Sequence, residues 1–295
     1  METLWFYLRR QAAPVRVVVF LVALVVLAAP VSLPLYWWEY QQPEGRSVIL
    51  APVSLVFVFI AWLFLWARRV HGLSHPWQSL GFSGGSQWWR NWASGFGIGA
   101  IGVGLLYGLQ LLWGWSVLTL TSVSYGRILL EGLFLALLVG IAEELIFRGW
   151  LLFELDKDYS PAQSLWVNGL LFALAHYIRP WSAIVETWPQ FFGLWLMGLT
   201  LVWARRTPTL SQTGRQFSST SLASAAGLHG GLVWAYYQVS VPGLVTPAGI
   251  MPTWVTGIQG NPLAGVMGAG LLGVIALFFF VRSRKTGSLK RIKTH

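Results

Sequence analysis

Three strings place ionisable or amide side chains inside otherwise apolar sequence. IAEELIFRGW carries Glu143, Glu144 and Arg148, NGLLFALAHY carries Asn168, Phe172 and His176, and GLHGGLVW carries His229. A carboxylate buried in such sequence and left unpaired is a candidate general base. Glu143, His176 and His229 also supply the two His and one carboxylate that catalytic zinc accepts, although no HExxH string is present. Helical spacing separates the roles. Glu144 and Arg148 are four apart with the acid first, the favourable order for a self-neutralising pair. Glu143 then points about 100° away and keeps an unpaired carboxylate. Asn168, Phe172 and His176 fall at i, i+4 and i+8, a stripe in which Phe172 can wall lipid from the imidazole, and Gly230 and Gly231 permit close backbone approach to His229.

The elements that must carry these residues follow from composition. Of 295 residues, 10% are charged and 55% hydrophobic, with 19 Trp, 17 Phe and no Cys. A soluble domain spends about a quarter of its residues on charge, so the chain belongs in a bilayer. The aromatics exclude a disordered chain, and the lack of Cys excludes a disulfide scaffold, a catalytic thiolate and Cys-ligated metals. About 20 apolar residues cross the hydrocarbon core. Eight stretches approach that length, near 16–38, 48–67, 92–116, 128–150, 163–178, 188–204, 219–240 and 263–281. The fold class expected is therefore all-α: a polytopic bundle of eight transmembrane helices in one domain over 1–295, its core at 128–240. The fifth span is short, and the fourth can continue to Leu155. The first is too long to be the h-region of a signal peptide.

The basic residues set the orientation. With the N-terminus in the cytoplasm, Arg9, Arg10, Arg16, Arg68, Arg69, Arg90, Arg148, Lys157, Arg205, Arg206, Arg215 and the six of the tail fall inside, and only Arg46, Arg127 and Arg179 fall outside. Both termini are then cytoplasmic. The net charge of +10 reports topology rather than nucleic acid. The basic tail at 282–295 reads as a stop-transfer flank with optional contact to anionic headgroups. Arg16 reads as no more than a helix end.

Depth brings the polar residues together. The turn at 156–160 joins spans four and five, placing Glu143 about 18 Å and His176 about 22 Å from that end at about 1.5 Å per residue. His229 lies about 15 Å into span seven on the same rise. One carboxylate and two imidazoles thus share a level.

These strings resemble the motifs of the CPBP family of intramembrane proteases, which includes the type II CAAX prenyl endopeptidases and bacteriocin self-immunity proteins. The double Glu with Arg four residues on is met by Glu143, Glu144 and Arg148. Phe, three residues, then His is met by Phe172 and His176. Of the third motif, His followed four residues later by Asn or Asp, only His229 matches, because Val233 holds the amide position. The resemblance spans roughly 128–240. It implies a glutamate-dependent protease in which Glu143 and His176 activate water, His229 donates to the oxyanion, and Glu144 with Arg148 supports them, without a required cofactor. Zinc on Glu143, His176 and His229 stays as the alternative. Losing one oxyanion donor typically costs about 10²-fold or more, so Asn168, the Trp234 indole or backbone near Gly230 must substitute, or the activity differs.

Blander roles exist for each residue. Glu143, Glu144 and Arg148 could be a buried ionic knot, and each His could serve a neighbouring carbonyl. Glu131, in the first turn of span four, is an interfacial acid. The Trp near span ends form interfacial belts, and the Gly run GFGIGAIGVG suits close helix packing. Three function classes follow: an endopeptidase, a catalytically weakened immunity, scaffold or chaperone-like relative, and a transporter with a Glu and His proton relay. No inverted repeat supports the last. The expected partners are the lipid bilayer and a membrane-protein or lipidated-peptide substrate, with no nucleic acid. The expected location is a bacterial-type plasma membrane or an internal membrane.

Overall fold

In lipid, backbone N–H and C=O groups must be satisfied within their own segment, and each of the eight apolar stretches is helical over most of its length in the computed structural model. Residues 2–42, 50–119, 124–210, 216–217 and 221–291 are described. Arg46, Arg215 and the end of the basic tail from residue 292 lie outside them.

The helices run α1 Glu2–Arg9, α2 Ala13–Tyr40, α3 Leu50–Arg69, α4 Pro76–Ser79, α5 Gly85–Leu112, α6 Tyr125–Glu144, a π-helical segment Leu145–Leu151, α7 Leu152–Asp158, α8 Pro161–Ala175, α9 Trp181–Thr187, α10 Gln190–Arg205, α11 Ala223–Ser240, α12 Thr253–Thr256 and α13 Val266–Arg291. Two short antiparallel strand pairs join loops, Ser116–Leu118 with Val245–Pro247 and Thr209–Leu210 with Gln216–Phe217. Among the described residues, four helices are long and apolar enough to cross a membrane: Ala13–Tyr40, Leu50–Arg69, Gly85–Leu112 and Val266–Arg284. The chain is thus an all-α, multi-pass integral membrane protein.

The fifth stretch departs from expectation. Its helix stops at Ala175, so His176 is not in the third turn of a stripe but in the turn that follows. His176 and Tyr177 N–H groups close back onto Ala173 and Leu174 carbonyls at 3.2 and 2.9 Å, the tightened i→i−3 geometry that ends many helices. The fourth stretch runs on past Leu155 to Asp158, with a π turn at its centre.

The chain divides into two compact units, Met1–Leu80 with Phe153–Ser160 and Gly81–Leu152 with Pro161–His295. In the first, α2 packs on α3 around Phe20, Phe59, Trp62 and Trp66, with the Phe20 and Trp66 rings edge to face at 5.4 Å. Arg16 is not a mere helix end here. It is buried, and its Nε donates to Glu154 Oε2 at 2.7 Å. Glu154 Oε1 takes Trp66 Nε1 at 2.8 Å and faces His71 Nε2 at 2.6 Å.

In the second unit α11 is the central element, with α5 and α6 against it. Small residues explain the approach. A Cβ on Gly227 or Gly231 would stand 2.0 or 2.1 Å from the carbonyl oxygens of Trp92 or Phe96, so α5 and α11 touch backbone to backbone. Gly140 and Gly230 do the same between α6 and α11, placing Glu143 and Glu144 beside His229. α8 and α10 cross at Gly169 and Gly198, where an added Cβ would meet the facing helix at 2.9 Å.

Candidate active site

The polar residues from α6, the π-helical segment, α8 and α11 meet inside the second unit. Glu144 is fully buried at the end of α6, and its Oε1 accepts Arg148 Nη1 at 2.9 Å. His229 Nδ1 donates to the same oxygen at 3.0 Å. Arg148 spends its second nitrogen on the Gly198 carbonyl at 2.9 Å, which is reachable because Gly169 and Gly198 let α8 and α10 close up. Its guanidinium also lies 4.3 Å from the Phe172 ring centroid, a cation–π contact. Arg148 is therefore met on three sides, while its Nε and Glu144 Oε2 have no hydrogen-bond partner among the described residues.

Glu143 is arranged differently. Its side chain is about one third exposed at 31%, yet Oε2 is buried and has no hydrogen-bond partner among the described residues. Two imidazole nitrogens face that oxygen, His176 Nε2 at 3.8 Å and His229 Nε2 at 4.0 Å. Both distances exceed a hydrogen bond and fall where a bridging water is to be considered. The other ring nitrogens are committed. His176 Nδ1 donates to the Phe172 carbonyl at 2.8 Å, and His229 Nδ1 is tied to Glu144. Each ring is thus held from behind with Nε2 turned toward Glu143, the same logic by which a back-side acceptor fixes a catalytic His tautomer.

Phe172 has no exposed surface and packs against Phe147 at 5.1 Å, His176 at 4.6 Å and His229 at 6.1 Å. It is the wall of the site. Asn168 Nδ2 is committed to the Phe147 carbonyl at 2.7 Å within the π-helical segment, so it braces the backbone between Glu144 and Arg148. π turns occur often at functional sites. Val233, one turn beyond His229 on α11, is half-buried and offers no donor. Glu131 stays outside the cluster in an exposed pair with Arg127 at 2.6 Å.

Sequence reasoning missed Gly198 and Arg205. Arg205, counted as an orienting residue, is buried and its Nε donates to the Arg148 carbonyl at 3.3 Å. Its burial had no local signal, and the Gly198 carbonyl became a ligand through tertiary packing alone.

Residues 125–234 match the family described as "Type II CAAX prenyl endopeptidase Rce1-like". This stretch is similar to that family and holds all three polar strings. The family is one of glutamate-dependent intramembrane proteases that are generally metal-independent. No curated protein and no solved structure matches the chain.

Proposed function

We propose that the chain is an intramembrane endopeptidase that hydrolyses a peptide bond near the cytoplasmic side of the bilayer, using a water activated by Glu143 and His176. The observation that carries it is Glu143 Oε2, buried without a hydrogen-bond partner among the described residues and faced by His176 Nε2 and His229 Nε2. Water bound there gives a proton to Glu143 as its oxygen attacks the scissile carbonyl carbon. His176 Nε2, with Nδ1 protonated toward Phe172, accepts a hydrogen bond from the second water hydrogen, which stays on the new hydroxyl, and so orients the lone pair. The oxyanion accepts from His229 Nε2–H, and the Glu144 carboxylate at 3.0 Å from Nδ1 balances the doubly protonated ring. The proton on Glu143 then passes to the leaving amine as the C–N bond breaks. No metal enters these steps.

On this reading the chain crosses the membrane eight times, with both termini cytoplasmic. The substrate is a membrane protein or lipidated peptide, and nothing in the site demands a prenyl group. Reconstituted protein is expected to cleave peptides drawn from the same cell's membrane proteome, Glu143→Ala and His176→Ala to be inactive, and activity to survive exhaustive chelation. Loss on chelation, restored by zinc, supports zinc on Glu143, His176 and His229 instead.

A second reading rests on Val233. With a hydrocarbon at the amide position the chain could be a weakened relative that acts as an immunity, scaffold or chaperone-like protein. Full phenotypic rescue by Glu143→Ala favours it.

A further inference from the structure

Beyond the polar cluster, the first unit holds a cavity of about 260 Å³ where α3 ends and α4 begins. Phe64 and Trp77 form one side, their rings 6.2 Å apart. Arg68, Ser74 and His75 supply the other side, and all three are exposed. The Arg68 guanidinium lies 4.4 Å from the Phe64 ring centroid. Neither Arg68 nor His75 has a carboxylate partner among the described residues. Arg9, in the same unit, has its Nη1 3.8 Å from where a Cβ on Gly72 would stand.

A guanidinium, an imidazole and a hydroxyl converging on one space are the donors a phosphate monoanion takes. The aromatic pair beneath them is what a glycerol backbone and the first acyl carbons lie against, and aromatics concentrate at this level of a bilayer. α3 above the cavity presents Phe57 and Leu65 outward, exposed along the helix face that acyl chains would follow. The paired basic residues Arg68 and Arg69 at its end mark headgroup depth. We propose that this cavity is a binding site for an anionic phospholipid, with the phosphate on Arg68, Ser74 and His75 and the glycerol end on Phe64 and Trp77. The site holds one lipid.

Native mass spectrometry of the full chain in detergent tests this with short-chain phosphatidylglycerol, phosphatidylcholine of the same chain length, and inorganic phosphate as probes. The expected result is one tightly retained phosphatidylglycerol on the wild type and weaker retention of phosphatidylcholine. A hydrogen bond to a charged group is worth about 1.5–3 kcal/mol, so Arg68→Gln should weaken phosphatidylglycerol binding by about tenfold or more. Arg69→Gln removes the same charge one residue away and should leave binding unchanged. His75→Gln and Ser74→Ala, outside the regular helices, give the same test if Arg68→Gln lowers the melting temperature. Equal retention of the two lipids overturns the site. Equal loss in Arg68→Gln and Arg69→Gln shows diffuse attraction and overturns it too. Inorganic phosphate bound as tightly as the lipid makes this a free-anion site and overturns the lipid assignment.

Discussion

Glu144 holds His229 through a single carboxylate oxygen, Oε1 to Nδ1 at 3.0 Å. Arg148 shares that oxygen at 2.9 Å, so the second carboxylate of the pair is consumed in binding an imidazole and a guanidinium rather than facing the open side of the site. Adjacent residues thereby separate into a supporting acid and a free one. Glu144→Gln is expected to lower cleavage by about 10²-fold or more, because His229 loses the charge that lets it donate from Nε2. Turnover of the variant with a reporter peptide checks this.

Among the described residues, Arg148 and the His229 imidazole are the basic groups on Glu144, and the Arg148 and Glu144 side chains are both fully buried. Removing one member of a buried pair typically costs about 3–5 kcal/mol, since the other charge is left uncompensated. Arg148→Met should therefore unfold well before the wild type in detergent. Adding Glu144→Gln to it should recover part of the loss. A double variant no more stable than Arg148→Met contradicts the pairing.

Backbone contact between α5 and α11 makes a sharp contrast among glycines. Gly227→Ala would put a Cβ 2.0 Å from the Trp92 carbonyl, whereas Gly104 on α5 has open space around it. Gly227→Ala should fail to accumulate as folded protein. Gly104→Ala should be neutral or stabilise by about 0.5–1 kcal/mol through helix propensity. Size-exclusion profiles and melting curves separate the two.

How much of this was legible in the sequence depended on contrast. Glu143, Glu144, Arg148, His176 and His229 stood out because charges and imidazoles are costly in an apolar span, and helix periodicity placed Glu143 and Glu144 on different faces. The termination of α8 at Ala175 was not legible, since FALAHYI continues the apolar pattern and only the i→i−3 closure at His176 ends it. No local string encodes the π turn, or the tertiary packing that brings the Gly198 carbonyl to Arg148. Arg16 looked like an orienting charge because its partner Glu154 lies 138 residues away.

That partner yields a pH prediction. Glu154 lies in α7, beyond the predicted fourth span. Burial raises its pKa, but His71, Arg16 and Trp66 outweigh burial and hold the carboxyl below its ordinary value of 4.5. A carboxyl depressed on folding contributes stability that is present above about 4.5 and lost as pH falls through the folded value. The melting temperature should fall on acidification below that point, and Glu154→Gln should flatten the slope. An unchanged slope in the variant removes Glu154 from the account.

Val233 offers the reverse experiment, a gain. It is half-buried one turn beyond His229, so Val233→Asn adds an amide donor beside the imidazole. Turnover should rise by about tenfold or more if the oxyanion is short of one donor. No increase in a folded variant indicates that another group already fills that role.

The central claim is that Glu143 takes a proton from the water that cleaves the peptide. Cleavage of a reporter peptide in ¹⁸O-labelled water, followed by mass spectrometry of the new carboxyl terminus, tests it most directly. The wild type is expected to place one ¹⁸O in that carboxylate, and Glu143→Gln, folded with an unchanged melting profile, to cut at least about 10²-fold more slowly. Wild-type cleavage that continues at the same rate in Glu143→Gln would contradict the account.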